Sequence, residues 1–416
     1  MPTVEIEDLT LGRYGVGRID GRAVMVPNAA PGDVLEVAIE SERRNYSLAR
    51  IEGIVRAGSD RRVPPCAFVP RCGGCDWQQL SYPAQVAHKA RLIAAEFAHN
   101  LGAELPIDGL IEPAPAEFGY RSRVRFKLGD NGAVGFHEAA SNRIVEIDRC
   151  LVAAPAIELP KLIAAAFGRR CREIEVAVGG AVQSVVVHLA SSPTTADTNR
   201  AQRLIDEIPA LSGIVIRDGK ARAVIGHPSL PIELEPGLTI EVEPDLFTQV
   251  NHAENRKLVA AVMGTAAIDT GGEILDLYCG AGNFSLPAAR RGARVIGVDY
   301  DPFAIETARR NAARLGLSEV QFLAMNAGEI ARFLSRARYR PEVVIIDPPR
   351  AGAADLIDLI VKLKASRVIY VSCNVATLMR DLKELSRTGF KLGIVRAFDF
   401  FPNTHHAEVM AEMLLT

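Results

Sequence analysis

The stretch EILDLYCGAGNFSLPAA, residues 273–289, decides the fold of the C-terminal half of the chain. Its apolar first half is typical of a buried β-strand, and its second half predicts the start of a helix. Gly280 and Gly282 between them allow the backbone to turn sharply and to approach a ligand closely. Asp299 ends the next predicted strand, where a carboxylate can accept hydrogen bonds from ribose hydroxyls. These features predict a nucleoside site at the carboxyl end of a parallel sheet.

Two cofactors suit this glycine loop, a nicotinamide dinucleotide and S-adenosylmethionine. Ser285 replaces the third glycine of the dinucleotide fingerprint, which weakens the interpretation as a nicotinamide oxidoreductase. S-adenosylmethionine has no pyrophosphate and needs less of a glycine-rich helix start. The loop alone therefore favours S-adenosylmethionine, and a tight turn without any ligand is the remaining alternative.

Strand and helix patterns alternate after the loop. The predicted strands are ARVIGVDY, VQFLAM, EVVIIDPP and RVIYVSC, and PFAIETARRNAARLGL is helical. Such alternation predicts a parallel sheet with helices on both faces. The tail, residues 394–416, predicts two further strands around a loop. We assign residues 244–416 to this α/β domain.

Two smaller regions precede this domain. Residues 1–58 alternate apolar and polar positions between glycine turns, which predicts a five-stranded β-barrel of a kind that often binds oligonucleotides. Residues 59–243 contain a helix at 82–101 with one apolar face, which we expect to pack on the C-terminal domain. From about residue 118 the central region has a strand-like pattern.

The composition gives no sign of a generally basic surface. The chain of 416 residues has 48 Lys and Arg against 50 Asp and Glu, a net charge of −2, so nucleic-acid binding must depend on local patches. We find neither an apolar stretch long enough for a membrane span nor an export signal. We therefore expect a cytoplasmic monomer with no membrane association and with reduced thiols.

The stretch VIYVSCNVATLMRDLKEL places a thiol at the start of a helix. A predicted strand ends at Cys373, and Asn374 is expected to cap the helix that follows. The helix dipole favours a thiolate there, and Asp347 is expected beside it at the end of a neighbouring strand. An isolated cysteine at a strand end is more often buried and inert, but these neighbours favour a reactive thiol.

Three cysteines crowd the segment CAFVPRCGGC, and a fourth follows 75 residues later. Clustered cysteines in a cytosolic protein more often bind a metal or a cluster than each other. Zinc and an iron–sulfur cluster are both compatible with four cysteines. Zinc sites more often show two close pairs, and here only Cys72 and Cys75 form one. We interpret Cys171 and Cys279 as ordinary buried residues.

The segment YRSRVRFKLG alternates basic residues with others. In a strand, all of its basic side chains would point to one face and could follow a phosphate backbone. An edge strand protected by charge is the alternative. The predicted RNA-binding residues are Arg121, Arg123, Arg125 and Lys127.

Four motifs together resemble those of the RNA uracil-C5 methyltransferases: DLYCGAGNFSLP, DPPRAG, SCNVATLMRDL and FPNTHHAE. The cysteine pattern is similar to that of the iron–sulfur members that act on 23S ribosomal RNA. The resemblance runs through almost the whole chain. It implies a class I, Rossmann-like methyltransferase domain, an N-terminal TRAM-like barrel and a central α+β iron–sulfur domain. It also implies S-adenosylmethionine as cofactor and a [4Fe–4S] cluster held by Cys66, Cys72, Cys75 and Cys150.

The resemblance also implies roles for single residues. Cys373 would be the nucleophile that adds to carbon 6 of a uracil in 23S ribosomal RNA, and Glu408 would be the base that removes the proton from carbon 5. The residues implied at the cofactor and substrate pocket are Gln249, Tyr278, Gly280, Gly282, Asn283, Asp299, Asn326 and Asp347.

Two positions depart from the pattern of this family. Val375 stands where proline is usual, and Asp299 stands where glutamate is more common. Two alternative functions also stay open. One is a transfer RNA uracil-C5 methyltransferase, against which the cluster cysteines argue. The other is a non-catalytic RNA-binding iron–sulfur protein, against which the pairing of a thiol with a base argues.

Overall fold

The N-terminal region of the computed structural model is a closed five-stranded β-barrel. The structure describes residues 1–129, 132–337 and 339–416. Alternate strand residues point inward, so Val4, Ile6 and Leu35 fill the barrel. The predicted barrel is confirmed. Its strands are β1 (Thr3–Leu9), β2 (Tyr14–Ile19), β3 (Arg22–Pro27), β4 (Val34–Glu42) and β5 (Tyr46–Arg56).

The central region combines a long helix with a seven-stranded sheet in the order β13-β12-β11-β10-β7-β8-β9. A 3-10 turn at Gly168–Arg170 leads into the longest strand of this sheet. The elements in chain order are α1 (Tyr82–Leu101), β6 (Ile111–Glu112), β7 (Arg123–Leu128), β8 (Val134–His137), β9 (Ile144–Glu146), α2 (Glu158–Phe167), β10 (Cys171–Gly179), β11 (Val182–Leu189), α3 (Thr195–Glu207), β12 (Leu211–Arg217) and β13 (Arg222–Gly226).

The strand-like pattern predicted for residues 118–243 is wrong at α2 and α3. Helix α3 buries few apolar side chains, because its buried residues are only Asp197, Ala201 and Leu204. The helix is therefore polar overall, and few apolar residues mark its buried face in the sequence. A capping box marks its start, in which Thr194 and Asp197 exchange side-chain and backbone hydrogen bonds. That box is the sequence signal that could have revealed the helix.

The C-terminal region is an eight-stranded sheet in the order β18-β17-β16-β19-β20-β22-β21-β6, preceded by a hairpin. The first five strands of this order are parallel, and β22 enters antiparallel between β20 and β21. All five predicted parallel strands and both tail strands are confirmed. The elements are β14 (Leu230–Glu235), β15 (Leu238–Val242), α4 (His252–Ala266), β16 (Glu273–Leu277), α5 (Ser285–Arg290), β17 (Arg294–Asp299), α6 (Pro302–Arg314), β18 (Val320–Ala324), α7 (Ala327–Ala337), β19 (Val343–Ile346), α8 (Ile357–Leu363), β20 (Arg367–Ser372), α9 (Val375–Arg387), β21 (Phe390–Phe398) and β22 (Glu408–Leu415).

Helix α1, strand β6 and the β14–β15 hairpin, all outside residues 244–416, pack on this sheet or extend it. Ile93 and Phe97 of α1 share one core with α8 and α9, and β6 pairs with β21 as the edge strand. Leu234 and Ile240 of the β14–β15 hairpin pack against Phe322 of β18. The domain boundaries at residues 58 and 243 stay a prediction. Elements from both sides of residue 243 build and cover the C-terminal sheet.

Candidate functional site

The glycine loop has the backbone that the sequence predicts. Gly280 has φ of +54° and Gly282 has φ of +98°, values that favour glycine. A Cβ atom on Gly282 would approach Leu286 within 2.8 Å, so close packing requires glycine there. A Cβ atom on Gly280 would meet no heavy atom of the described part of the chain within 4 Å, so this residue faces open space. The loop therefore offers a cradle at the carboxyl end of β16.

Asp299 closes this cradle at the end of β17. One carboxylate oxygen accepts a hydrogen bond from the Gly280 amide (3.0 Å), and the other accepts from the Asp301 amide (2.9 Å). Burial is the main cause that raises the pKa of Asp299. Each oxygen keeps a lone pair for a further donor. A role for Asp299 at a ribose stays a prediction.

Three predicted cofactor residues are engaged within the protein. Asn283 exchanges two side-chain hydrogen bonds with Asn255, at 2.8 and 3.1 Å. Asn326 accepts from the amides of Gly328 and Glu329 and so begins α7. Tyr278 has φ of +62° and its phenol lies near Asp355, which contributes after burial to a pKa raised to about 12. A role for these residues at a cofactor stays a prediction.

Cys373 and Glu408 lie at the same end of two paired strands. In the antiparallel ladder of β20 and β22 the last pair is Ser372 with Val409, and Cys373 and Glu408 are the chain neighbours of these two residues. After burial, the charge of Glu408 is the next cause that raises the pKa of the Cys373 thiol, so the two groups lie close together. Asn374 caps α9 by accepting from the Ala376 amide (3.1 Å), as predicted, and Val375 is the first residue of that helix.

Asp347 adds a second carboxyl group to the site of Cys373 and Glu408. Asp347 follows β19 and accepts a hydrogen bond from the Gln249 amide at 3.4 Å, so these two predicted residues contact each other. Burial raises the pKa of Asp347 to about 7. Burial and the charge of Asp347 raise the pKa of Glu408 well above its ordinary value. Two carboxyl groups near one thiol thus resist ionisation and become stronger proton acceptors.

Arg350 is a site residue to which the sequence reasoning gave no role, although it lies in the quoted DPPRAG motif. Burial and the charge of Glu408 raise the pKa of the Cys373 thiol to about 11, while the charge of Arg350 and a hydrogen bond from it act in the opposite direction. Its backbone carbonyl accepts from Asn374 (3.1 Å) and Thr377 (3.2 Å). Arg350 therefore supports both the thiolate and the start of α9.

A cavity of about 300 Å³ opens onto the thiol. Its wall includes Cys373, Arg350 and Asn374 from the sheet edge, Lys89 from α1 and Leu11 from the barrel. His406 also faces it, and burial lowers the pKa of this histidine to about 4. A half-buried thiol in a cavity shared by the barrel and the C-terminal sheet is accessible to a substrate.

The four predicted ligand cysteines line a second cavity of about 170 Å³ in the central region. All four are free thiols. Burial raises the pKa of Cys75 to about 12, and the neighbouring thiols add to this shift. Within the described residues, no three His, Cys, Asp or Glu side chains are arranged to hold a metal ion. The thiols therefore share a cavity without forming a single-ion site.

Only three of the four predicted RNA-binding residues lie in one row on a strand. These three project from β7, where they form ion pairs with acidic residues of the neighbouring strand β10. Arg125 bonds Glu175 at 2.6 Å and Lys127 bonds Glu173 at 2.5 Å, although just over half of the Arg125 side chain is exposed. Arg121 precedes the strand and faces the cysteine cavity instead. Contact of this row with RNA stays a prediction.

The sheet order and glycine loop define the class of S-adenosylmethionine-dependent methyltransferases. Residues 230–415 match the family model described as tRNA (Uracil-5-)-methyltransferase, and residues 2–51 match the TRAM domain. The 23S rRNA (uracil(1939)-C(5))-methyltransferase RlmD of Shewanella amazonensis is 32% identical, over 95% of this chain and 92% of that protein. The enzyme of the same name from Salmonella typhimurium is also 32% identical, over 98% of this chain and 95% of that protein.

A solved structure supports the same assignment. The tRNA (uracil-54, C5)-methyltransferase of Pyrococcus abyssi, in complex with S-adenosyl-L-homocysteine, superposes with a TM-score of 0.77. The two chains are 25% identical, and the match covers 99% of this chain and 100% of the other. This chain belongs to the RNA uracil-C5 methyltransferase family. Among the helices of its described residues, none combines the length and apolar character that crossing a membrane requires.

Proposed function

We propose that this protein methylates carbon 5 of a uridine in 23S ribosomal RNA through a covalent bond between Cys373 and carbon 6 of the uracil. The observation that carries the proposal is the end of the β20–β22 ladder, where Cys373 lines an open cavity and lies close enough to Glu408 for the charge of that carboxyl to raise the pKa of the thiol. Curated relatives that match almost the whole chain carry the 23S rRNA name. A cytoplasmic location and a monomeric state stay predictions.

The thiol makes carbon 5 reactive. Carbon 5 of uracil is a weak nucleophile, and addition of the Cys373 thiolate to carbon 6 moves electron density onto it. Burial and the charge of Glu408 raise the pKa of this thiol, and the charge and hydrogen bond of Arg350 offset part of that shift and so favour the thiolate. Gly280 and Asp299 would hold S-adenosylmethionine, which would supply the methyl group. Carbon 6 bonds to the Cys373 sulfur as the double bond between carbons 5 and 6 opens, and carbon 5 bonds to the methyl carbon as the bond from that carbon to the sulfonium sulfur breaks, with S-adenosylhomocysteine as the leaving group.

A base must complete the reaction. The Glu408 carboxylate takes the proton that carbon 5 still carries, the ring double bond re-forms, and the bond between carbon 6 and sulfur breaks. Its raised pKa makes Glu408 a stronger base than an exposed carboxylate. Asp347 lies within the same electrostatic site and can accept or donate a hydrogen bond at the uracil edge. The thiol is regenerated for the next turnover.

Methyl transfer to defined RNA tests the proposed substrate. We expect purified protein with methyl-labelled S-adenosylmethionine to form 5-methyluridine at one position in unmodified 23S ribosomal RNA. Unmodified transfer RNA is the competing substrate, at equal concentration in a parallel reaction. Labelling of transfer RNA alone would replace the proposal by the transfer RNA alternative, and labelling of neither would favour the non-catalytic one.

We further propose that Cys66, Cys72, Cys75 and Cys150 hold a [4Fe–4S] cluster that fixes the fold of the central region. A single zinc ion draws four thiolates to about 2.3 Å from one centre, and zinc sites more often show two close cysteine pairs than the single pair of Cys72 and Cys75. A four-iron cluster is larger and holds its ligands further apart. The cavity between the four thiols supports this choice.

Arg121 supports the fit of the cluster. Its Nε atom is buried and has no hydrogen-bond partner among the described residues, and its side chain lines the same cavity. An unpartnered buried donor is costly. The sulfur atoms of an iron–sulfur cluster accept hydrogen bonds, and such bonds tune the cluster. A cluster in this cavity would therefore satisfy a donor that the protein alone leaves unpaired.

Replacing Cys75 by serine should release the metal. We expect anaerobically prepared protein to contain about four irons per chain with visible iron–sulfur absorption, and Cys75→Ser to lose most of both. Cys171→Ser is the matched control, since Cys171 is a buried thiol outside the cavity whose hydrogen bond to the Glu173 carbonyl serine can retain. Zinc in place of iron, or full iron in Cys75→Ser, would contradict the assignment.

A further inference from the structure

The loop between β21 and β22, residues 399–407, is hydrogen-bonded to the segment that carries the cysteines. The amides of Asp76 and Trp77 donate to the Asn403 carbonyl, at 3.2 and 3.0 Å. In return the Asp76 carboxylate binds His405 twice, accepting from its amide at 3.0 Å and meeting its ring Nδ1 at 2.6 Å. Asp76 directly follows the predicted ligand Cys75.

Asn403 is the centre of this attachment. It is fully buried and has φ of +69°, a left-handed conformation that asparagine tolerates better than most residues. Its amide donates to Gln85 at 2.7 Å, and its side chain donates to the Glu117 carbonyl at 3.0 Å. Arg62 and Gln85 donate to its side-chain oxygen. Residues 62–117 thus hold a loop of the C-terminal sheet.

The same loop forms one side of the reaction cavity. His405, His406 and Ala407 line the cavity that contains Cys373, and the next residue is Glu408. Only two residues separate His405 from the proposed base. A shift of the Asp76–His405 contact would therefore move the cavity wall and the base together. Misplacement of a reacting group by about 1 Å can lower a rate roughly a hundredfold.

We propose that Asp76 is a positioning residue that couples the cysteine cavity to the reaction cavity. Its two bonds to His405 fix the 399–407 loop, and a filled cysteine cavity fixes Asp76 through Cys75. The metal then acts on catalysis without taking part in electron transfer. This inference rests on the proposed function of both cavities, and its main readout is the mobility of the loop rather than methylation.

Hydrogen–deuterium exchange of iron-loaded protein tests the coupling. We expect Asp76→Ala to speed exchange of the 399–407 amides about two- to tenfold, the effect of losing a net hydrogen bond, and iron removal from the wild type to act likewise. Asp60→Ala is the matched control, because Asp60 also pairs with a histidine, His88 at 2.9 Å. Peptides of the barrel should be unaffected in every case.

The kinetic readout separates positioning from loss of fold. At equal iron content, Asp76→Ala should lower kcat about 10- to 100-fold with an unchanged Kd for S-adenosylmethionine, while Asp60→Ala keeps both. Equal exchange of the 399–407 amides in Asp76→Ala and Asp60→Ala would overturn the coupling. Iron removal that speeds exchange only in the cysteine segment would overturn it as well. If the wild type is inactive but shows the expected exchange, the proposed function is wrong, whereas the coupling is still supported.

Discussion

Cys373→Ala should abolish methylation and the covalent RNA adduct, with at least about a 10⁴-fold loss of kcat. Without a sulfur atom to add to carbon 6, carbon 5 stays too weak a nucleophile to take the methyl group. Affinity for S-adenosylmethionine should not change, because the cradle of Gly280 and Asp299 lies on other strands. Methyl transfer to labelled RNA and a denaturing gel for the adduct measure both losses.

Two further variants sharpen this result. Cys373→Ser keeps the shape of the side chain but offers a hydroxyl that ionises far less readily, so it should be as inactive as alanine. Cys171→Ala removes a buried thiol from the central sheet and should keep full activity, because this residue lies in a different hydrophobic core. Methylation that survives in Cys373→Ala would remove covalent catalysis from the proposal.

Local patterns predicted the parallel sheet because each of its strands carries its own signal. Buried apolar runs and the glycine turn depend on neighbours in sequence, and so does the Asn374 cap. The proximity of Cys373 and Glu408 is different, since it depends on the pairing of β20 with β22 across a 35-residue separation. The family resemblance pointed to this pair, and no periodicity of the chain did.

Residues that pair with distant partners were the hardest to predict. Arg125 and Lys127 looked like free phosphate contacts because their acidic partners lie about 50 residues away, on β10. Asn283 looked free for a cofactor because Asn255, its partner, precedes the glycine loop. The local sequence does not reveal the hydrogen-bond partner of a charged or amide side chain, because the tertiary structure decides which groups pair.

Removing the base should have the opposite signature to removing the thiol. In Glu408→Gln the side chain keeps its shape, the thiol is intact, and the nearby carboxyl that raises the pKa of Cys373 is gone. Addition to carbon 6 and methyl transfer should therefore proceed, whereas removal of the carbon 5 proton should slow by about 10²- to 10⁴-fold. Methylated RNA should accumulate bound to Cys373.

A denaturing gel of Glu408→Gln with methyl-labelled cofactor makes this visible, since the label should migrate with a protein–RNA complex that the wild type forms only transiently. Glu412→Gln is the matched control, because Glu412 lies four residues along β22, equally buried but paired with Arg367 at 2.7 Å. We expect Glu412→Gln to release methylated RNA at the wild-type rate. Free methylated RNA at the wild-type rate from Glu408→Gln would show that another group removes the proton, and Asp347, whose charge acts on Glu408, would be the first to test.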